Sequence, residues 1–294
     1  MGPNSNKRTK VSVIITSFKD LRIFNLLREL EKQEPYEIII ADGGSNQDLI
    51  SRLINLQNGR IKFLLLPGNI AETRFQVQAH INGDIAVFID TDEVPDVNWL
   101  ENLTEPIQSG SFDFTFGSTK PLKEAESRYS SYLDRYDFYL YNYILEKDVL
   151  KGAMGNSAWR TELIRNVEFD PCLGIGGEDY DLTIRAAKAG FKGKYVKNAV
   201  VYHDQNSIST FKKFIKKIFY NYLVGASLVY RKNNMLFLRS KNSLSVNAYF
   251  RDPLEIVVFL LKPIAFIFSL MLNPWEDSRL CAESLKKVSK INKK

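Results

Sequence analysis

Residues 85–92, Ile-Ala-Val-Phe-Ile-Asp-Thr-Asp, join a short apolar run directly to two carboxylates. An apolar run of five residues between polar ones is typical of a buried strand in a parallel sheet. Similar runs occur at 11–15, 37–41 and 61–66. The segments between these runs carry apolar residues at helical spacing, over 21–31, 48–56 and 71–82. This order predicts β-α-β-α-β-α-β and therefore an α/β fold with a mostly parallel central sheet flanked by helices.

The second half of the chain has a different pattern. We expect a helix over 178–189 that Gly190 closes, followed by a strand over 195–202. Residues 211–230 have the pattern of a basic amphipathic helix, and residues 254–272 are strongly apolar, with Lys262-Pro263 in the middle. We therefore divide the chain into a polar lead (1–10), a main α/β domain (11–232) and a helical C-terminal extension (233–294).

Charge is unevenly distributed along the chain. Residues 1–200 hold 24 Lys and Arg against 28 Asp and Glu, whereas residues 201–294 hold 16 against 6. A basic tail favours phosphate, either in nucleic acid or at an anionic membrane surface. Because the tail lacks a recognised nucleic-acid-binding motif, we expect the membrane and no nucleic acid. The two cysteines, Cys172 and Cys281, are too few for a disulfide scaffold and favour a reducing compartment.

Two groups of carboxylates follow predicted strands. Asp90 and Asp92, at i and i+2, can point into the same cleft, where a divalent cation such as Mg²⁺ or Mn²⁺ would relieve their repulsion. A solvated turn is the alternative interpretation. Asp42 ends the second strand and has the acceptor oxygens to bind a nucleobase N–H, although Asp-Gly-Gly-Ser also suits a local Asx-turn.

Two further candidates lie late in the chain. Glu178 and Asp179 follow two glycines at a predicted helix start, where acidic residues either offset the helix dipole or act as a general base. Asp181 is expected to be structural. His203 ends a strand and is either a packed residue or a metal ligand. Tyrosines at 129–143 are expected to form core or to line an acceptor groove.

These segments, in this order, resemble the GT-A glycosyltransferases of family 2. Residues 11–18, 40–45, 71–74 and 88–93 are similar to the first strand, the base-binding Asp, the donor-binding Arg and the DxD segment of the family. The most specific similarity is Gly-Gly-Glu-Asp-Tyr-Asp-Leu at 176–182, followed by Val-Val-Tyr-His at 200–203. Lys19 and Phe18 depart from the Asn and Tyr that are common in the family.

The resemblance implies a role for each matching residue. Thr16, Phe18 and Asp42 would bind the nucleobase and ribose of the donor. Arg74 and Asp90 would help to hold the donor, and Asn156 would lie near the donor sugar. Mn²⁺ or Mg²⁺ would be held by Asp92, with Asp90 and His203. Asp179, beside Glu178, would be the catalytic base. The absence of a QxxRW motif disfavours repeated chain extension.

The expected activity is metal-dependent, inverting transfer of a sugar from a UDP- or GDP-linked donor. The basic and apolar tail favours a peripheral or monotopic enzyme on the cytoplasmic side of the cell membrane and hence a lipid-linked acceptor, such as a polyprenyl phosphate or a lipid-linked oligosaccharide. The alternatives are a transferase for a surface polysaccharide and a non-catalytic nucleotide-sugar binding module. A nucleotidyltransferase is disfavoured because the first turn has no glycine. For the tail, the alternative is packing on the catalytic domain or in an oligomer interface.

Overall fold

The computed structural model describes residues 9–137, 152–234 and 252–272. Within these residues the chain forms an eight-stranded mixed sheet with helices on both faces. The strand order is β3-β2-β1-β4-β7-β6-β8-β5. The strands are β1 Val11–Ser17, β2 Glu37–Asp42, β3 Ile61–Leu65, β4 Ile85–Asp90, β5 Glu93–Pro95, β6 Phe114–Pro121, β7 Ser157–Arg160 and β8 Gly193–His203.

The first half of the chain confirms the predicted β-α repeat. Strands β1 to β4 are mutually parallel. Strands β1, β2 and β4 are almost entirely buried because helices cover both faces of the sheet, whereas β3, at the sheet edge, is only partly buried. The crossover helices are α1 Ile23–Glu31, α2 Gln47–Ile54 and α3 Ile70–Val77. The third is shorter than predicted because a 3₁₀ turn, Gln78–His80, follows it.

Strands β5, β6 and β7 were not predicted. Strand β7 lies antiparallel between β4 and β6, and β5 turns back antiparallel to the end of β8. Strand β6 is buried over its first six residues although it contains Thr, Gly and Ser, so it lacks the apolar run that marks the earlier strands. The remaining helices of this region are α4 Trp99–Gln108, α5 Arg128–Asp137, α6 Thr161–Val167 and α7 Glu178–Lys188.

The core has one cluster on each face of the sheet. Residues from α1, α2 and α4 pack on one face, and residues from α3, α6 and α7 pack on the other. Trp159 of β7 stacks on Phe114 of β6 with 4.6 Å between ring centroids. Tyr132 of α5 is buried against Phe214, which makes this tyrosine core; residues 138–143 of the tyrosine-rich stretch lie outside the described residues.

The predicted basic helix is continuous from Phe211 to Lys232, but its centre is irregular. It consists of α8 Phe211–Lys216, a π-helical segment Lys217–Val224, and α9 Gly225–Lys232. Phe214, Ile218 and Leu223 are buried along it. The step of five residues between the last two is the π-helical spacing, and it corrects the prediction of a regular amphipathic helix.

The apolar segment forms α10, Pro253–Met271, as one continuous helix. Pro263 lies inside this helix, which continues through it. A third core cluster, which contains Tyr132 and Phe214, lies outside the two sheet faces, and one face of α10 packs on it through Leu254, Val258 and Ala265. The Arg231 guanidinium of α9 donates to the carbonyl oxygens of Ser269 and Leu272. On that face, the helix therefore packs on the rest of the protein, which is the alternative given above for the tail.

Cys172 is disulfide-bonded, contrary to the expectation of reduced cysteines. The chain contains only two cysteines, and Cys281 lies outside the described residues.

Candidate active site

A cleft of about 660 Å³ opens at the carboxyl ends of β1 and β4. This is the edge where parallel sheets bind ligands, and the volume is in the range of small-molecule sites. Its wall combines the ends of these strands with the start of α7, the end of β8 and the π-helical segment. Of the predicted site residues, the cleft is lined by Thr16, Phe18, Arg74, Asp90, Asp92, Glu178, Asp179 and His203.

Arg74 joins two of the predicted carboxylates. Its Nη2 donates to Asp90 Oδ1 at 2.9 Å, and its Nη1 donates to Glu178 Oε1 at 2.5 Å. Thr16 Oγ1 also donates to Asp90 Oδ1, at 3.2 Å. Burial opposes the charged form of Arg74, but the carboxylates of Asp90, Glu178 and Asp179 outweigh it and raise the pKa of the guanidinium. The buried cation therefore ties the DxD segment to the start of α7.

Asp92 and His203 form the second charged pair. Their Oδ2 and Nε2 atoms are 3.2 Å apart, and the Arg22 guanidinium lies 3.6 Å from the same carboxylate. Burial alone would raise the pKa of Asp92, but His203, Arg22 and Lys217 hold it well below its usual range. Burial alone would lower the pKa of His203, but the Asp92 carboxylate outweighs burial and raises the pKa of the imidazole to about 9.

This pair has the donor chemistry for a divalent cation. A carboxylate and an imidazole within hydrogen-bond distance and facing the cleft suit Mn²⁺, which accepts both ligand types. No group of three or more His, Cys, Asp or Glu side chains in the described part of the chain forms a metal site by itself. The side chains therefore fit two ligand positions, and a bound phosphate and water would have to complete the coordination.

Glu93 is a buried acid that the sequence analysis missed. It is 3% exposed, and its Oε2 accepts from the Asp90 N–H at 3.0 Å. Burial and the Asp90 charge raise the pKa of this carboxyl to about 8. A Cβ on Gly155 would lie 2.5 Å from Glu93 Oε2 and 2.7 Å from Asp90 Oδ2, so only glycine lets the backbone there approach the two acids.

Asp42 organises a turn. The side chain is fully buried, and its Oδ1 accepts from the Gly44 and Ser45 N–H groups at 3.0 and 2.6 Å, as in the Asx-turn alternative. Ser45 Oγ donates to Asp42 Oδ2 at 2.7 Å and accepts from Lys19 N at 2.7 Å. Asp42 is absent from the cleft lining, so its contact with a nucleobase stays a prediction.

The backbone of the turn after β1 explains why Asn is common in the family at the position of Lys19. Lys19 has φ of 55°, in the left-handed region that Asn tolerates better than most residues, which accounts for the Asn that is common there. Its ammonium lies 4.8 Å from the centroid of the Phe18 ring. The Phe18 side chain is 57% exposed at the cleft, so a ring face is available for stacking on a base.

Asn156 lies behind the cleft. Its amide accepts from Trp99 Nε1 at 2.9 Å and donates to the carbonyl oxygens of Ser118 and Ala199, at 3.0 and 3.2 Å. The side chain is 1% exposed. These bonds hold the loop that brings Gly155 to the acids, and a direct contact of Asn156 with the donor sugar stays a prediction.

The loop before α7 is shaped by glycines. Gly176 and Gly177 have φ of 140° and 89°, and a Cβ on Gly225 of α9 would lie 2.7 Å from the Gly176 backbone. Asp179 follows at the first turn of α7 and lines the cleft. Asp181 is fully buried and bonded to Arg185, Lys232 and Asn233, which confirms a structural role.

Three residues at the site were missed by the sequence analysis: Arg22, Glu93 and Lys217. Lys217 belongs to the basic helix predicted over 211–230, and the structure places it in the cleft wall. Nothing local in the sequence marks Arg22.

The sequence profile of Glycosyl transferase family 2 matches residues 12–167, just over half of the chain. The chain therefore belongs to glycosyl transferase family 2 and is a glycosyltransferase of the GT-A fold. Comparison with curated protein sequences gives no match.

Solved structures share the fold at low sequence identity. Glucosyl-3-phosphoglycerate synthase from Mycobacterium tuberculosis, in complex with Mn²⁺, UDP-glucose and phosphoglyceric acid, has a TM-score of 0.55 at 18% identity over 79% of this chain and 86% of that one. GalNAc-T7 with UDP, GalNAc and Mn²⁺ has a TM-score of 0.54 at 16% identity, covering 85% of this chain and 59% of that one. A mycobacterial protein has a TM-score of 0.54 at 16% identity, covering 76% and 75%.

Proposed function

We propose that this glycosyltransferase moves a sugar from a UDP- or GDP-linked donor to an acceptor, with inversion at the anomeric carbon. The observation that carries the proposal is that Asp90, Asp92, His203 and Asp179 line one cleft at the carboxyl edge of the sheet. Structures of the same fold that contain UDP and Mn²⁺ support a nucleoside-diphosphate donor and a divalent cation.

The charged residues of the cleft have separate tasks. Asp92 and His203 would hold Mn²⁺ or Mg²⁺, which when bound neutralises charge on the diphosphate. Arg74 fixes the Asp90 carboxylate through a buried ion pair. Phe18 and Thr16, at the end of β1, would contact the nucleoside, and the exposed ring would stack on the base.

Asp179 is proposed as the general base. Its carboxylate would accept the proton of the acceptor hydroxyl while that oxygen attacks the anomeric carbon. The carbon–oxygen bond to the diphosphate breaks in the same displacement, and the electron pair leaves with the diphosphate. One displacement on the face opposite the leaving group inverts the configuration. A phosphate acceptor arrives already deprotonated and would depend less on Asp179.

A nucleotide screen tests the donor assignment. Thermal unfolding is followed with Mn²⁺ and UDP, GDP, uridine or guanosine, because a ligand that binds the folded state raises the melting temperature. We expect one diphosphate to raise it in the presence of Mn²⁺ and to lose this effect in Asp92→Ala. No shift with either diphosphate at millimolar concentration would refute the donor assignment.

Helix α10 supports a membrane-associated enzyme with a lipid-linked acceptor. Among the described residues, α10 is the one helix that is long enough and apolar enough to span a bilayer, and its mean hydropathy is 2.2. Because one face is packed on the domain, a position in the membrane surface fits better than a span. The opposite face carries apolar side chains that are 48–78% exposed: Ile256, Phe259, Leu260, Ile264, Ile267, Leu270 and Met271.

Lipid binding is tested by co-sedimentation with anionic vesicles that contain phosphatidylglycerol. Binding is expected for the unaltered chain and should be lost in Phe259→Glu/Ile264→Glu, which places two charges on the exposed face. Val97→Glu is the matched control, because Val97 is 77% exposed outside this helix. Equal binding by all three proteins, or by none, would contradict membrane docking by α10 and favour a soluble glycan acceptor.

The proposed location is the membrane surface, at the cell membrane. The disulfide at Cys172 weighs against the cytoplasmic side, because stable disulfides are rare in reducing compartments.

A further inference from the structure

The π-helical segment Lys217–Val224 contributes three residues, Lys217, Asn221 and Tyr222, to the wall of the cleft. Ile218 and Leu223 of the same segment remain buried in the core. Between these two apolar residues, Phe219 and Tyr220 contact Phe268 of α10, whereas Asn221 and Tyr222 line the cleft. Lys217 lies in the cleft wall one position before Ile218. Single π-helical turns are rare and occur mostly at functional sites, which directs attention to what this one presents.

The Lys217 ammonium is held close to the charged pair of the site. Its Nζ donates to Gln205 Oε1 at 2.8 Å, and Gln205 Nε2 lies 3.2 Å from His203 Nδ1. Gln205 is 3% exposed, so its position is fixed. The amide therefore links the lysine to the imidazole that pairs with Asp92.

The other cations of the cleft wall are in direct contact with carboxylates, whereas Lys217 acts on Asp92 through its charge. Arg74 is bonded to Asp90 and Glu178, and His203 is paired with Asp92. In the described residues, the hydrogen bond of Lys217 goes to a neutral amide. An ammonium group has three N–H donors, so Lys217 retains donors for an anion that enters the cleft.

We propose that Lys217 binds a phosphate oxygen of the donor's diphosphate, beside the Asp92–His203 pair. This inference rests on the proposed function and assigns the leaving group a further partner. When the bond from the anomeric carbon breaks, the diphosphate keeps the electron pair and gains negative charge. Lys217 donates a hydrogen bond to that charge without transferring its proton, and such charge-assisted bonds strengthen as the charge develops.

The test compares Lys217→Met, Lys217→Arg and Lys216→Met. Lys216 is exposed on the same helix and serves as the matched control. Calorimetry with Mn²⁺ measures the dissociation constant of UDP or GDP, whichever the unaltered enzyme binds, and competition measures that of the matching nucleoside. We expect Lys217→Met to weaken the diphosphate about tenfold or more without affecting the nucleoside, as for a lost charged hydrogen bond. Lys217→Arg should retain most of the affinity, and Lys216→Met all of it.

Each result that contradicts the proposal leads to a different conclusion. Equal weakening of diphosphate and nucleoside in Lys217→Met would overturn the proposal, because it would reveal a general disturbance of the cleft. An unchanged diphosphate affinity would also overturn it; if affinity for undecaprenyl phosphate, but not undecaprenol, then fell, the lysine would belong to the acceptor phosphate. An unaltered enzyme that binds neither UDP nor GDP would refute the proposed function itself.

Discussion

The pKa of His203 is the property of this site that a single substitution should change most. Burial disfavours the imidazolium, and the Asp92 carboxylate 3.2 Å away raises its pKa from 6.5 to about 9. In Asp92→Asn the carboxylate is gone while burial remains, so the pKa of His203 should fall to about 6.5 or lower. The amide keeps the shape of the side chain and isolates the charge.

The same substitution should destabilise the fold in a defined pH range. A histidine whose pKa is raised by folding contributes stability that is fully present below its unfolded pKa and is lost as the pH rises through the folded one. For a shift from 6.5 to about 9, the contribution at pH 7 is about 2–3 kcal/mol. Asp92→Asn should therefore reduce the free energy of unfolding at pH 7 by about this amount, and the difference should shrink towards pH 9.

The chain is suited to the measurement because it contains only two histidines. His80 is exposed and serves as an internal reference for the NMR titration of ¹³C-labelled imidazoles. Divalent cations are removed with a chelator beforehand, since a metal ion would compete with the proton. Urea unfolding at pH 6, 7, 8 and 9 gives the free energies for both proteins.

One result would refute the reasoning directly. If His203 of the unaltered protein titrates below pH 7, the ion pair with Asp92 is not formed in solution. A stability difference that is constant from pH 6 to 9 would also contradict the linkage.

Three further results are expected. Asp179→Asn should lower the turnover number by about 10²-fold with little change in nucleotide affinity, and an unchanged rate would remove Asp179 from the role of base. Gly225→Ala should destabilise the fold by about 1–3 kcal/mol in urea unfolding, because its Cβ would lie 2.7 Å from the Gly176 backbone; Ala226→Gly, one residue along, is the control for helix propensity. Mn²⁺ affinity, measured by calorimetry, should rise between pH 6.5 and 9, since His203 must lose its proton to bind a metal ion, and a pH-independent affinity would exclude it as a ligand.

Much of the fold was predictable because its first half repeats one simple pattern. Strands β1, β2 and β4 are covered on both faces, so their sequences are largely apolar runs that stand out from the amphipathic helices between them. The position of Asp90 and Asp92 followed from the same reasoning, because a side chain directly after a parallel strand must lie at the ligand-binding edge. The family pattern at 176–182 and 200–203 then indicated Asp179 and His203.

Other features depend on contacts between distant residues, and only the tertiary structure decides them. The ion pair of Arg74 with Glu178 joins residues more than a hundred positions apart, and the hydrogen bond of Lys217 to Gln205 joins a helix to the loop after β8. Asp42 has the same local sequence whether it binds a base or closes a turn; the structure shows its bonds within the turn, and the contact with a base stays a prediction. Sequence periodicity reports which face of an element is buried, whereas hydrogen-bond partners depend on how the elements pack.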